Sequence, residues 1–204
     1  MIRVAQDGAI WTLTLDRPDK ANSLTAEMLQ ALCNAVDDAT RQQACAIILT
    51  GVGRVFSAGA DLVEARAGLA TSPLWEDLSA RIAKAECLTI AALNGTLAGG
   101  AFGMALACDL RLCVPGTKFF YPVMKLGFLP QPSDPGRLAA LIGPARAKMI
   151  LMAGARIEAE EARDWGLIDR IVAPDDLMEA ARALCADALS AQPAHVAAIK
   201  RLVP

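Results

Sequence analysis

The residues best suited to chemistry lie in a glycine-rich segment, residues 94–109, which follows an apolar run. Asn94-Gly95 is followed by Gly99-Gly100, and the next eight residues have a helix-forming composition. A strand, a tight glycine turn and a helix start leave backbone N–H groups free at the helix N-terminus. These donors and the helix dipole favour negative charge, and glycine lets a ligand carbonyl approach the backbone closely. The segment is therefore a candidate anion or carbonyl site.

A second loop of small residues has the same setting. Residues 53–62, Gly-Arg-Val-Phe-Ser-Ala-Gly-Ala-Asp-Leu, follow the apolar run from Ala46 to Leu49. Two such loops, each after a buried strand, could present one backbone N–H apiece to a single oxygen atom, as in an oxyanion hole. A simple turn in which Asp61 caps the following helix is the alternative for this loop.

Two other interpretations apply to the glycine segment. A dinucleotide-binding loop needs Gly-x-Gly-x-x-Gly within an N-terminal βαβ unit, whereas the spacing here is Gly95-x-x-x-Gly99-Gly100-x-x-Gly103. The N-terminal region also lacks the βαβ start, which argues against that class. Close helix packing through small residues stays open for Gly103 and its neighbours.

Composition narrows the functional classes. The 204 residues are 54% hydrophobic with a formal net charge of -2, which predicts one domain, 1–204, with a sizeable core. With this net charge, the chain lacks the excess of basic residues that attracts nucleic acid or an anionic membrane. The most apolar stretch, residues 88–114, is interrupted by Asn94, Asp109 and Arg111, so a buried strand and helix are expected rather than a membrane span.

The six cysteines do not form a recognisable metal or disulfide pattern. None belongs to a Cys-x-x-Cys pair, and the chain has a single histidine. Most lie within apolar runs. We therefore predict buried, reduced thiols, no metal and a cytoplasmic location.

Strand and helix patterns alternate in the first half of the chain, and helices follow. Apolar periodicity predicts strands at 10–15, 45–50, 88–93 and 110–114. Thr25, Asp134 and Asp175 are expected to be helix N-caps, with the last helix reaching Leu189, and Gly166 is expected to close a helix. This order predicts a layered α/β core with a helical extension.

Five ordered segments resemble motifs of the crotonase (enoyl-CoA hydratase/isomerase) superfamily over nearly the whole chain: 17–24, 56–62, 94–109, 119–130 and 143–171. The resemblance implies a ClpP/crotonase-like α/β fold of repeated β-β-α units in residues 1–135, followed by a helical trimerisation region in residues 136–204. It also implies a homotrimer or homohexamer. The substrate would be an acyl-CoA thioester, with coenzyme A as part of the substrate and no separate cofactor.

The resemblance also implies which residues form the site. By motif position, the N–H groups of Ala60 and Gly100 would bind the thioester carbonyl and stabilise its enolate. The positions implied in substrate or CoA binding are Lys20, Ala21, Ala58, Asp61, Leu62 and Gly99. A solvated side chain is the alternative for Lys20, and a structural cap is the alternative for Asp61.

Two acid–base positions depart from the family hydratases. The resemblance places their two glutamates where this chain has Gly103 and Val123. General acid–base groups contribute about 10²–10⁴-fold each, so efficient two-glutamate hydration is not expected. Decarboxylase, isomerase or thioesterase chemistry stays open, as does a non-catalytic acyl-CoA binding or assembly subunit of the same fold.

Few side chains could replace the missing glutamates. Tyr121 is a candidate catalytic group, with a packed aromatic as the favoured alternative. Asp134 is a candidate base, with a helix N-cap as the favoured interpretation, and the single histidine, His195, is expected to be exposed. Family members usually continue beyond the segment that resembles residues 190–202. We therefore expect this chain to lack the last helices and to have a more open pocket.

Overall fold

Ten β-strands in two sheets form the framework of the computed structural model, which describes residues 1–203. In chain order they are β1 (Ile2–Asp7), β2 (Ile10–Leu15), β3 (Ala46–Gly51), β4 (Val55–Ser57), β5 (Leu88–Leu93), β6 (Thr96–Ala98), β7 (Leu110–Cys113), β8 (Lys118–Phe120), β9 (Ile157–Glu158) and β10 (Arg170–Ile171).

The larger sheet has the order β1-β2-β3-β5-β7-β10, and the smaller sheet has the order β4-β6-β8-β9. Strand β1 pairs with β2 in antiparallel fashion, and the remaining pairs of the larger sheet are parallel. In the smaller sheet, β4, β6 and β8 are parallel and β9 is antiparallel to β8. Because β4, β6 and β8 are parallel, the loops that follow these strands leave the smaller sheet at the same edge.

Within residues 1–203, eleven α-helices surround these sheets. They are α1 (Ala26–Arg41), α2 (Leu62–Arg66), α3 (Leu74–Lys84), α4 (Phe102–Leu106), α5 (Val123–Leu126), α6 (Asp134–Ile142), α7 (Pro144–Leu151), α8 (Ala159–Trp165), α9 (Leu177–Ala183), α10 (Ala186–Ser190) and α11 (Pro193–Leu202). Short 3-10 turns lie at Pro18–Lys20, Leu69–Thr71, Gly99–Ala101 and Pro174–Asp176.

The chain repeats one unit of two strands and a helix. In the pairs β3-β4, β5-β6 and β7-β8, the first strand joins the larger sheet, the second joins the smaller sheet, and helices follow. The α/β class and the repeated β-β-α units predicted from the sequence are therefore confirmed.

Both faces of the larger sheet are buried. On β5, Ile90 and Ala92 face α9, whereas Ala91 and Leu93 belong to the main core, which also contains buried residues of α1 and α3. Alternate side chains of a strand point to opposite faces. A sheet covered on both faces therefore needs a continuous apolar strand, which is the pattern that predicted β5.

Most local predictions are confirmed. Strands β2 and β5 match the predicted bounds, the Thr25 side chain accepts a hydrogen bond from the Met28 N–H, and Gly166 ends α8 in the left-handed region at φ 88°. The prediction missed β1, an edge strand whose residues are mostly exposed and therefore lack an apolar pattern.

Two predicted helix caps are wrong. Asp134 is the first residue of α6 and follows Ser133, which has helical backbone angles and an N–H and hydroxyl bonded to the Glu76 carboxylate. Asp175 lies inside the 3-10 turn Pro174–Asp176, and Asp176 is the residue that precedes α9. The helix predicted to run from Asp175 to Leu189 is also divided into α9 and α10, between which the Cys185 N–H bonds to the Arg182 carbonyl three residues back.

All six cysteines are free and buried, as predicted. Burial raises the pKa of the Cys87, Cys108 and Cys113 thiols to about 12, because desolvation penalises the thiolate. No helix within residues 1–203 has both the length and the apolarity needed to cross a bilayer.

The buried Arg111 side chain provides a test of the core. Its guanidinium donates to the Cys108 carbonyl at 2.6 Å and the Leu167 carbonyl at 3.0 Å, joining β7 to the segment before β10. Replacing Arg111 with Met leaves both carbonyls without these donors, so the free energy of unfolding should fall by about 2–4 kcal/mol in urea titrations. The exposed Arg170→Met is the control, with a change within about 0.5 kcal/mol. Equal losses of unfolding free energy in Arg111→Met and Arg170→Met would show that the Arg111 hydrogen bonds do not stabilise the core.

Candidate active site

Two backbone loops meet at the carboxyl edge of the smaller sheet. Loop A, residues 58–61, follows β4, and loop B, residues 99–101, follows the neighbouring parallel strand β6. A Cβ atom at Gly59 would lie 3.0 Å from the Ala98 carbonyl oxygen and 3.3 Å from the Gly100 nitrogen. Gly59 also has a φ of 94°. Only glycine combines this backbone conformation with so close an approach of the two chains.

Each loop presents a backbone N–H that has no acceptor. The Gly59 carbonyl and the Asp61 N–H both bond to Leu24 at 2.8 Å, so the Ala60 N–H points away from that pairing. Within residues 1–203, the Ala60 N–H has no hydrogen-bond acceptor. Gly100 is the second residue of the turn that leads into α4, where an N–H has no acceptor within the helix.

Side chains buried beneath loop A fix its path. The Ser57 hydroxyl donates to the Asn22 carbonyl at 2.8 Å and accepts from the Gly59 N–H at 3.2 Å. The Asn22 amide donates to the carbonyls of Val52 and Val55 at 2.9 and 2.7 Å. These bonds satisfy irregular backbone that would otherwise be buried without partners.

Both donor loops border one small cavity of about 150 Å³. Its wall includes six of the residues predicted from the sequence, namely Ala58, Ala60, Leu62, Gly99, Gly100 and Tyr121, together with Trp75, Val123, Leu126, Phe128, Leu129 and Gln131. Among the other predicted positions, Lys20, Ala21 and Asp61 are not part of this wall.

These three positions have other local roles. Lys20 is exposed, which agrees with a solvated side chain, and the Ala21 carbonyl accepts from the Ala58 N–H at 3.0 Å. Asp61 caps α2 through the Val63 N–H at 2.9 Å and accepts from Arg17 at 2.8 Å. The hydrogen bond from Arg17 is the main cause of a lowered Asp61 pKa. This geometry favours the structural interpretation of the Asp61 carboxylate.

An indole ring closes one side of loop B. A Cβ atom at Gly100 would lie 3.3 Å from three atoms of the Trp75 ring. The Trp75 Nε1 donates to the Leu69 carbonyl at 2.8 Å, which fixes the ring orientation. A side chain at position 100 would therefore displace the ring.

Gly103 and Val123, where the family resemblance implies glutamates, are both buried. Val123 forms part of the cavity wall, so that side of the cavity is apolar. A Cβ atom at Gly103 would lie 2.9 Å from Asp134 Oδ1, so a side chain there would meet the carboxyl group of Asp134. The sequence signal for Asp134 was its position before Pro135, which predicted a cap and gave no indication of this contact.

Asp134 and Tyr121 form a buried pair beside the cavity. The Tyr121 hydroxyl donates to Asp134 Oδ2 at 2.9 Å, and its ring stacks on Phe102 with centroids 5.3 Å apart. Asp134 is 1% exposed, and its Oδ1 has no hydrogen-bond partner within residues 1–203. Tyr121 is thus the packed aromatic considered from the sequence, and its hydroxyl also contacts a buried acid.

Burial raises the pKa of Asp134 to about 7, because desolvation disfavours the carboxylate. The hydrogen bond from Tyr121 and the charge of Arg137 oppose this increase, and the charge of Glu76 adds to it. Burial also raises the pKa of Tyr121, and the Asp134 charge adds to that effect. The pair therefore exchanges a proton near neutral pH at Asp134 rather than at the phenol.

A larger cavity of about 780 Å³ lies elsewhere, between the start of β7 and α11. Its wall includes Arg111, Lys200 and the exposed His195, and it shares no residue with the smaller cavity. Within residues 1–203, no group of three His, Cys, Asp or Glu side chains is arranged to hold a metal ion.

Known proteins share both sequence and fold with this chain. A carnitinyl-CoA dehydratase of Salmonella typhi is 37% identical over 210 residues, covering 98% of this chain and 79% of the relative. The structure of an enoyl-CoA hydratase from Bacillus anthracis superposes with a TM-score of 0.91 at 31% identity, covering 98% of this chain and 81% of the other. The structure of an enoyl-CoA hydratase/carnitine racemase from Magnetospirillum magneticum superposes with a TM-score of 0.89 at 27% identity, covering 99% of this chain and 79% of the other.

The predicted crotonase-like fold is confirmed by these superpositions. The family model for enoyl-CoA hydratase/isomerase matches residues 5–203. That match includes both donor loops and the helices that surround them. The chain therefore belongs to the enoyl-CoA hydratase/isomerase (crotonase) family.

Proposed function

We propose that this protein is an enzyme that forms an enolate from an acyl-CoA thioester. The observation that carries the proposal is the pair of unused donors, the Ala60 and Gly100 N–H groups, on touching loops at one cavity. A thioester oxygen between them would gain negative charge as the enolate forms. Fixed donors aimed at developing charge need no reorganisation during the reaction, which is the basis of oxyanion-hole catalysis.

The relatives support the class of substrate. Their names specify carnitinyl-CoA dehydratase, enoyl-CoA hydratase and carnitine racemase, and the first two name a CoA thioester. An acyl-CoA lyase or isomerase is the activity most consistent with those names. Because positions 103 and 123 carry no carboxylate, a two-glutamate hydratase is not part of the proposal.

The size of the cavity favours a short acyl group. Its volume of about 150 Å³ is below the roughly 300–1,000 Å³ typical of ligand sites. Exposed apolar side chains, Leu62, Leu126 and Leu129, stand at its wall. We propose that the acyl group fills the cavity and that the CoA moiety lies outside it, near Ala58 and Lys20.

Assembly is also a proposal. The family resemblance implies a homotrimer or homohexamer, and sedimentation would distinguish these states. A non-catalytic acyl-CoA binder of the same fold is the competing function. It would bind acyl-CoA in calorimetry without converting any member of a mixed acyl-CoA panel, including malonyl-type thioesters, as monitored by mass spectrometry of the products.

The Gly100 donor can be removed by Gly100→Pro, because proline lacks an N–H. We expect kcat/KM on the best thioester of the panel to fall by about 10²–10³-fold, the usual cost of one oxyanion donor. Gly100→Ala is the matched control, since it adds bulk against Trp75 but keeps the N–H. Folding of both variants is checked by circular dichroism. Equal activity of Gly100→Pro and Gly100→Ala would argue against an oxyanion role.

The contact between the loops can be tested at Gly59. Gly59→Ala imposes a strained φ and places a methyl 3.0 Å from the Ala98 carbonyl, so the loops should separate and turnover should fall. Gly68→Ala is the control, because Gly68 has a φ of 109° with open space around it. Both variants should lose about 1 kcal/mol or more of unfolding free energy from backbone strain, and only Gly59→Ala should lose activity. A loss of activity in both would assign the effect to strain alone.

A further inference from the structure

A buried carboxyl group beside the proposed oxyanion site is not used by that proposal. Asp134 is 1% exposed, and one of its oxygens has no partner within residues 1–203. An unpartnered buried acceptor is costly to maintain, and such groups often have a redox or catalytic role. The group also lies at the one place in α4 where Gly103 leaves room for it.

The carboxyl group is linked to the cavity through one residue. The Tyr121 hydroxyl donates to Asp134 Oδ2 at 2.9 Å, and Tyr121 itself belongs to the cavity wall together with Gly100. The main-chain N–H of Gln131, another wall residue, approaches the same hydroxyl at 3.4 Å. Tyr121 therefore connects the cavity wall to the buried acid.

We propose that Tyr121 and Asp134 are the acid–base pair of the enolate chemistry, with Tyr121 contacting the substrate and Asp134 acting through it. This inference rests on the proposed function. The bond between the α-carbon and its hydrogen breaks, and that proton passes to the Tyr121 oxygen. The phenolic proton moves at the same time to Asp134 Oδ2. The electron pair of the C–H bond becomes the enolate, whose oxygen faces the Ala60 and Gly100 N–H groups.

The reverse transfer returns a proton to carbon. Protonated Asp134 gives its proton to the phenol oxygen as the phenol protonates the enolate, at the original or at a conjugated position. Protons and electrons balance over the cycle, so no further reactant is needed. Asp134 is a positioning residue in this scheme, because only Tyr121 reaches the substrate.

The charges around Asp134 suit this role. Glu76 from α3 raises its pKa, Arg137 on α6 and the Tyr121 hydrogen bond lower it, and burial raises it most, to about 7. A base must be ionised, so proton abstraction should increase with pH up to a plateau above about 7. A pKa near the working pH is also optimal for general acid–base transfer.

The same shift affects stability with a defined sign. Between the ordinary pKa of 3.8 and about 7, the folded state binds more protons at Asp134 than the unfolded state does. Stability contributed by this group therefore falls as pH rises through that window. Asp134→Asn removes the effect, so its melting temperature relative to the natural protein should increase from pH 4 to pH 8.

The test is exchange of the α-hydrogens of butyryl-CoA with D₂O, followed by mass spectrometry, because this saturated probe reports proton abstraction alone. Tyr121→Phe and Asp134→Asn should each lower the exchange rate constant by about 10²–10³-fold with little change in KM. The double variant should be no slower than the slower single variant, since the two groups act as a unit. The pH dependence centred near 7 should disappear in Asp134→Asn.

Asp109→Asn is the matched control. Asp109 is a partly buried carboxylate bonded to Thr89 and Lys200 and lies at the other cavity, so exchange should be unchanged. If Gly100→Pro abolishes exchange but Tyr121→Phe and Asp134→Asn exchange as fast as the natural protein, this inference is overturned and the oxyanion proposal stands. Turnover of a malonyl-type thioester without any butyryl-CoA exchange would also overturn it and leave the oxyanion proposal intact. Absence of both exchange and turnover in the natural protein would overturn both proposals.

Discussion

The close backbone contact between loop A and loop B is the constraint on which the site depends. Gly59 lies against Ala98 and Gly100 with no room for a Cβ atom, and neither the Ala60 N–H nor the Gly100 N–H has an acceptor. The contact exists because both loops leave adjacent parallel strands, β4 and β6, at the same edge. The repeated β-β-α unit therefore does more than build two sheets, since it brings equivalent turns side by side.

A shell of buried polar side chains keeps these irregular loops in place. Asn22 and Asn94 both donate to carbonyls of the segment 52–55, and Ser57 bridges Asn22 to Gly59. The buried bonds of Asn22 and Ser57 avoid the cost of unsatisfied backbone groups. Rigid loops in turn fix the direction of the two free donors, which is what electrostatic stabilisation of a transition state requires.

Helix α3 connects loop B to the region around the Asp134 carboxyl group. Trp75 covers Gly100, and the next residue, Glu76, accepts hydrogen bonds from Ser133 at the start of α6. Glu76 thus bonds Ser133 before the helix, and the Asp134 side chain turns inward instead of capping α6. It enters the space that Gly103 leaves empty and meets Tyr121. One helix therefore positions both a wall of the cavity and the approach of the buried acid.

Features that depend on local pattern could be predicted from the sequence. Apolar alternation gave β2, a continuous apolar run gave β5, and Thr25 and Gly166 marked helix ends, because periodicity and capping depend on neighbouring residues. The glycine spacing and the family resemblance placed Ala60 and Gly100. The resemblance also implied two glutamate positions, at which this chain has Gly103 and Val123.

The contact between the Asp134 carboxyl group and the bare backbone of Gly103 is visible only in the three-dimensional structure. Asp134 follows Gly103 by thirty-one positions, and the Asp-Pro pair indicated a helix cap for reasons that are entirely local. Its real environment is set by Glu76 from α3, Tyr121 after β8 and the bare backbone of Gly103 in α4. A raised pKa arises from burial by several distant segments at once, and no window of the sequence contains that burial.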